Sequence, residues 1–300
     1  MKLRRVLMMS KSSAYELYAQ DPRDGHFTAL ARAGNKKVRA LRVSHDEHYL
    51  TVEAVEKALD RLGVSFDHIP RDESFDERLY DLVIAVGGDG TFIAASHFIR
   101  SVPLMGVNSA PRDSVGFYCC ATRKTIDRIL GRFQRGTLPR ISLQRLAIEI
   151  DGKRIKEQAI NDVLYSHENL AAMARYALKI PGGREEQKSS GIWIAVPAGS
   201  GGAIGSAGGR RLALESRKFQ FVVREPYHPH GRQYRLRKGV LGPEDVLEIE
   251  NHVVYGVIFI DGSHISHKIP FDSRVRMRLS EYPLEVFGLR VPKRAPRLRR

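Results

Sequence analysis

Five apolar residues in a row, Leu82 to Val86, run straight into Gly-Gly-Asp-Gly-Thr, and this is the sharpest pattern in the chain. So short an unbroken run reads as a strand buried on both faces, and the apolar residues after Thr91 (Phe92, Ile93, Ala94, Ala95, Phe98, Ile99) suit a helix. Upstream, Val6 to Met9 is a candidate strand and Ala14 to Tyr18 a short helix, while residues 20 to 40 look polar and irregular. From Asp46 the apolar positions fall at helical spacing (Val52, Val55, Leu59, Leu62), with Gly63 as the stop. Val64 to Ile69 reads as a second strand and Val102 to Val107 as another, ending at Asn108-Ser109. Ile126, Ile129, Leu130 and Phe133 mark one more amphipathic helix. Strands alternating with helices over residues 1–137 predict an α/β domain with a doubly wound parallel sheet.

Near Gly136 to Pro139 the period changes. Leu146, Ile148 and Ile150 alternate with polar residues and lead into Asp151-Gly152, a hairpin signal. Alternation returns at Ile192, Ile194 and Val196 and at Phe219, Phe221 and Val223. Val246 to Ile249, Gly256 to Asp261 and Val275 to Leu279 continue as short strands. Residues 138–282 are therefore predicted as an all-β, sandwich-like domain with few helices, and 283–300 as a basic tail.

A strand, a glycine turn and a helix N-terminus form a place where backbone N–H groups can approach an anion. Gly87, Gly88 and Gly90 would allow that approach, and no P-loop lysine follows. Asp89 sits in the middle. It either caps the next helix or holds a metal or takes a proton from a nucleophile beside the bound phosphate. Asn161-Asp162 interrupts a strand-like stretch with side chains able to read a base edge and ribose hydroxyls, or simply makes an Asx turn. Pro197 to Gly209 is a run of small residues whose bare backbone suits either close contact with a ligand or a flexible loop. Asp261-Gly262-Ser263-His264 reads as a turn between strands.

Charge and composition narrow the picture. A hydrophobic content of 42% with 28% charged residues fits a water-soluble globular chain. No apolar run approaches the ~20 residues needed to span a bilayer. The start resembles a signal n-region, but Val6 to Met9 is too short an apolar core before Lys11, so the cytoplasm is the expected compartment. Adjacent Cys119 and Cys120 have neither disulfide nor metal spacing. The net charge of +15 implies attraction to polyanions, although no aromatic-basic RNA motif or zinc-finger spacing points to nucleic acid.

Taken in order, these motifs resemble the NAD kinase family along most of the chain. The shared features are Gly87 to Thr91, Gly106-Val107-Asn108 with Gly116-Phe117, Asn161-Asp162, and the small-residue loop ending Ser206-Ala207-Gly208-Gly209. The resemblance implies transfer of a phosphate from ATP or polyphosphate, with Mg²⁺, to the 2′-hydroxyl of the adenosine ribose of NAD or NADH. The active site would lie between the two domains, with Asp89 as general base. Substrate contacts would come from Gly87, Gly88, Gly90, Thr91, Asn108 and Phe117. Asn161, Asp162, Lys188, Ser190, Ser200, Gly201, Gly202, Ala203 and Ser206 would supply the rest. No dedicated metal ligands are expected, and the expected assembly is a homo-oligomer, dimer or tetramer. Two positions depart from the family pattern. Ala203 stands where a tyrosine commonly stacks on a base, and Ser190 where an aspartate is common. The words Lys-Ser-Ser-Gly and Asp-Gly-Ser-His look more like a branch that includes plant NADH-preferring kinases. A lipid or small-alcohol kinase of the same superfold, or a polyanion binder without turnover, are the other readings.

Overall fold

The structure is a computed structural model and describes residues 3–20, 25–71, 73–228, 231 and 233–289. It divides into two compact units, Met1–Ile141 with Glu285–Arg300, and Ser142–Leu284.

In the first unit, strands β1 (Arg5–Ser10), β2 (Ser65–Pro70), β3 (Leu82–Gly87), β4 (Leu104–Asn108) and β5 (Cys119–Thr122) are mutually parallel where they pair. The order across the sheet is β2-β1-β3-β4, with β5 also on β4. Helices α1 (Ala14–Gln20), α2 (Gly25–Arg32), α3 (Lys36–Arg61), α4 (Asp89–Ser96) and α5 (Ile126–Gln134) complete the unit. Val6, Met8, Leu82, Ile84 and Val86 share one core with Val52, Val55 and Leu59 of α3 and Ile129, Leu130 and Phe133 of α5. The alternate residues Leu7, Met9, Val83 and Ala85 are just as buried, and α4 packs on β3 and β4. Side chains alternate across a strand, so helices cover both faces and the sheet is doubly wound, as expected.

Two expectations need correction here. Residues 25–32 are α2, and the helix expected from Asp46 begins ten residues earlier at Lys36, where Asn35 Oδ1 accepts a capping bond from the Lys37 N–H at 2.9 Å. Before His48 only Val38 of α3 is buried, and the next inner positions are the polar His48 and Thr51, so the apolar periodicity sets in only at Val52. The stretch read as a basic tail opens with a strand, β19 (Leu284–Phe287), which joins β4 in parallel through Val286↔Leu104 and has β6 (Arg140–Leu143) as its other neighbour in the sheet. Residues 290–300 and their cations lie outside the described residues.

The second unit is all β apart from short turns. One six-stranded antiparallel sheet runs β11-β10-β15-β18-β7-β8 and the other β14-β13-β12-β9-β16-β17. Their ranges are β7 (Leu146–Ile150), β8 (Lys153–Ala159), β9 (Asp162–His167), β10 (Ala174–Ile180), β11 (Gly183–Ser189) and β12 (Gly191–Ala195). The rest are β13 (Phe219–Arg224), β14 (Lys238–Leu241), β15 (Leu247–Asn251), β16 (Gly256–Ile260), β17 (Ile265–Ile269) and β18 (Arg274–Leu279). Apolar residues of both sheets, among them Ile148, Leu178, Ile249 and Met277 facing Ile192, Ile194, Phe221 and Ile258, share one core, so the unit is a sandwich. Asp151 and Gly152 both have positive φ (48° and 78°) in the β7–β8 hairpin, as that dipeptide predicts. Among the described residues, no helix is long and apolar enough to cross a membrane.

Candidate active site

The glycine turn closes the central strand of the parallel sheet. β3 is buried throughout, and its last residue, Gly87, is the register partner of Asn108 at the end of β4. The Ser109 N–H donates to the Gly87 carbonyl at 2.9 Å, which ties the two strand ends together. A Cβ on Gly87 would run into Thr91 Oγ1, so only glycine fits there. Gly88 is the N-cap of α4 and makes no side-chain cap, while Gly90 faces open space. The helix start leaves backbone N–H groups without intrahelical partners.

Asp89 is therefore not a capping residue. It is the first residue of α4, and its Oδ1 accepts a hydrogen bond from the Tyr118 main-chain N–H at 2.9 Å. The Tyr118 ring stacks on Phe92 of the same helix, with centroids 4.8 Å apart and planes 3° from parallel. Burial raises the pKa of the neighbouring Cys119 thiol, and the charge of Asp89 raises it further, so this cysteine stays protonated and inert.

Thr91 is 1% exposed, and its Oγ1 has no hydrogen-bond partner among the described residues. A buried, unsatisfied hydroxyl beside the glycine turn is unfavourable for folding alone. Thr91→Val is isosteric and removes it. The expected outcome is a melting temperature equal to or above wild type together with a loss of turnover. A stable variant with full activity would mean the hydroxyl serves no ligand.

Asn108 and Phe117 stand beside this turn. The Asn108 amide is engaged within its own loop, its Oδ1 accepting from the Ala110 N–H and its Nδ2 donating to the Ser114 carbonyl, both at 3.1 Å. Gly116, at φ +61°, lies against that amide. Phe117 packs edge-on against Tyr118.

In the second unit, one residue organises the Asn161-Asp162 pair. Asp261, in the turn from β16 to β17, turns its carboxyl toward the start of β9. Its Oδ2 accepts from the Ile160 N–H at 2.9 Å, and its Oδ1 accepts from the N–H groups of Asn161 (2.7 Å) and Asp162 (2.9 Å). The Asp261 N–H returns a bond to the Asp162 carbonyl. Burial pushes the Asp261 carboxyl up to about 7, while the three N–H donors pull it down; burial alone pushes Asp162 up to about 6. Sequence reading placed Asp261 in a turn, which it is, but missed its carboxyl as part of a site.

The small-residue stretch folds into two compact turns rather than a slack loop: a 3₁₀ turn, Ala198–Gly201, and a one-turn helix, α6 (Ala203–Ser206). Gly199 packs on the Asn161 backbone, where a Cβ would clash with its carbonyl, and the Asp162 carboxylate faces Gly202. Ile204 anchors the stretch against Ala195 and Val222. Ser200 is buried, donating to the Pro197 carbonyl and accepting from the Leu212 N–H, whereas Gly201, Gly202, Ala203 and Ser206 are exposed.

Lys188 and Ser190 are not brought to this end. Asp162 pairs with Ala195 at one end of the β9–β12 ladder, and the ladder reaches Tyr165↔Ile192 before Ser190 is met. At about 3.4 Å per residue, Ser190 lies roughly 17 Å along the sheet from Asp162. There the Ser190 N–H donates to the Arg224 carbonyl, and Lys188 Nζ sits 4.6 Å from the centre of the Tyr227 ring. Among the described residues, no group of three or more His, Cys, Asp or Glu could hold a metal ion.

The family model described as the ATP-NAD kinase N-terminal domain matches residues 2–137. The chain is 30% identical over 303 residues to a probable NADH kinase of Oryza sativa subsp. japonica, covering 90% of this chain and 91% of that protein. It is 31% identical over 264 residues to an NADH kinase of Arabidopsis thaliana, covering 80% of this chain and 83% of that one. A crystal structure of an NAD kinase from Archaeoglobus fulgidus in complex with ATP shares the fold, with a TM-score of 0.68 at 20% identity across 97% of this chain and 95% of its own. With 30% identity over nine-tenths of this chain and of the rice protein, one assignment is left: the chain belongs to the NAD kinase family.

Proposed function

We propose that the protein transfers a phosphate from ATP or polyphosphate to the 2′-hydroxyl of the adenosine ribose of NAD or NADH, giving NADP(H). The observation that carries this reading is Asp89, held by a main-chain donor at the first turn of α4, beside the unpartnered Thr91 hydroxyl at the glycine turn. A ribose hydroxyl attacks poorly until its proton is taken, and the Asp89 carboxylate is the group to take it. The ribose oxygen then bonds to the terminal phosphorus, the bond to the leaving phosphate oxygen breaks, and Asp89 passes its proton to solvent. Mg²⁺ carried on the donor's phosphates would supply charge neutralisation for the transferring group.

Asn161 and Asp162 would hold the adenosine portion, and the exposed backbone from Gly201 to Ala203 would lie against the dinucleotide. A lipid kinase would need an apolar acceptor pocket and would not need the Asn161-Asp162 pair. The names of the plant relatives put NADH among the acceptors to be tried. Purified protein with NAD or NADH, ATP-Mg or polyphosphate-Mg, and an NADP-specific dehydrogenase as reporter is the test. No NADP(H) from any combination would reject the proposal.

Asp162 adds a pH dependence. Its carboxylate can accept from two ribose hydroxyls only when ionised, and burial raises its pKa to about 6. Dinucleotide affinity is expected to hold above that pH and to weaken as pH falls through about 6. Calorimetric titration at several pH values checks this, and Asp162→Asn should flatten the profile. The same shift has the opposite sign for folding. The native state keeps the proton longer than the unfolded chain, so this group's contribution to stability falls as pH rises from the ordinary carboxylate range through about 6.

A further inference from the structure

Two cations stand in one row with the glycine turn at the carboxyl edge of the parallel sheet. Ser10 ends β1, paired with Pro70 on β2 and Val86 on β3. The next residues along the three strands are therefore Arg71, Lys11 and Gly87. With about 4.8 Å between strands, Lys11 starts roughly one strand spacing from Gly87 and Arg71 roughly two.

The lysine side chain is half-buried. Burial lowers its pKa, the Arg71 guanidinium lowers it further, and the Asp113 carboxylate raises it. His48, which also feels Lys11, lies in the same place, 1% exposed, with Nδ1 2.8 Å from Ser109 Oγ. Burial first and the Lys11 charge second push its pKa down to about 4, so His48 is neutral at pH 7 and adds no third cation. Drawing an ammonium out of water next to a guanidinium is unfavourable unless negative charge offsets it. Asp113 is exposed, on the loop that follows β4. A lysine and an arginine in one row with a turn suited to phosphate fit a ligand with several negative charges in line.

We propose that Lys11 and Arg71 bind the phosphate chain of the donor and direct its terminal phosphate to the glycine turn and Asp89. This rests on the phosphoryl-transfer reading above. The ligand class is a linear polyphosphate, free or as the tail of a nucleoside triphosphate.

The test separates binding from turnover. Tripolyphosphate is titrated calorimetrically into wild-type protein and into Lys11→Met, Arg71→Met, Lys11→Arg and Asp113→Asn. The donor KM is measured in parallel with ATP-Mg and with polyphosphate-Mg, and the dinucleotide Kd is measured without donor. Lys11→Met and Arg71→Met are each expected to weaken tripolyphosphate binding and raise the donor KM about tenfold or more, since a bond to a charged group is lost. The dinucleotide Kd should not change. Lys11→Arg should recover most of the affinity, and Asp113→Asn should keep or improve it, whereas a purely structural ion pair would lose melting temperature in both Lys11→Met and Asp113→Asn without moving the donor KM. A rise in KM for ATP alone would assign the pair to nucleotide tails, and a rise for both donors to any polyphosphate. Wild-type protein that forms NADP(H), with a donor KM within twofold in both methionine variants, would overturn the pair and keep the phosphoryl-transfer reading. Tripolyphosphate binding that needs both cations, in protein that makes no NADP(H), would do the reverse. Wild-type protein that binds no tripolyphosphate overturns the pair.

Discussion

Asp89→Asn is expected to fold normally and to lose about two to four orders of magnitude in turnover, the usual worth of general-base assistance. Asparagine is nearly isosteric, and its carbonyl oxygen can still accept the Tyr118 N–H that holds Asp89 Oδ1. The variant therefore keeps the anchoring bond and loses only the capacity to take a proton. Because Gly88 rather than Asp89 is the N-cap, little helix stability is at stake. Melting temperature, dinucleotide Kd and kcat measured on one preparation settle the matter. Wild-type turnover with an unchanged Kd would remove Asp89 from the chemistry.

Asp261→Ala is expected to have the second-largest effect, on binding and stability together. Three main-chain donors lose their acceptor at once, and each unsatisfied N–H costs about 1–3 kcal/mol where it cannot reach water. Asp261 also sits at φ +52°, a conformation that aspartate and asparagine tolerate better than alanine. The Asn161-Asp162 turn should loosen, with the melting temperature lowered and dinucleotide affinity reduced at least about tenfold. Asp261→Asn keeps the backbone preference and one oxygen, and should fall between. If the alanine variant binds dinucleotide as tightly as wild type, the turn is not part of the site.

How far the chain could be read in advance follows from where each signal resides. β3 and the glycine turn are local, contiguous and apolar, so the strand was legible to within one residue, although α4 begins at Asp89 rather than at Thr91. The start of α3 was not, because Val38 alone is buried before His48 and Thr51, which hold the next inner positions through polar partners. The hairpin of β10 and β11 was hidden for another reason: β11 is an edge strand whose outward face is charged, the composition that keeps an edge from pairing with other chains. In the candidate site, Asn161-Asp162 was visible as a dipeptide, but the carboxyl that fixes it arrives from a hundred residues away. No local pattern encodes such a pairing. Lys188 and Ser190 show the converse. The words around them match a family, yet a chain word says nothing about which end of a strand ladder it will occupy.

The bond that positions Asp89 comes from a peptide group, not from a side chain. Nineteen of the twenty amino acids could supply it at position 118, and proline alone would delete it. Sequence drift at that position is thus screened by how the ring packs on Phe92, while the orientation of the carboxylate is inherited from the path of the main chain. A lineage can change residue 118 without turning that carboxylate.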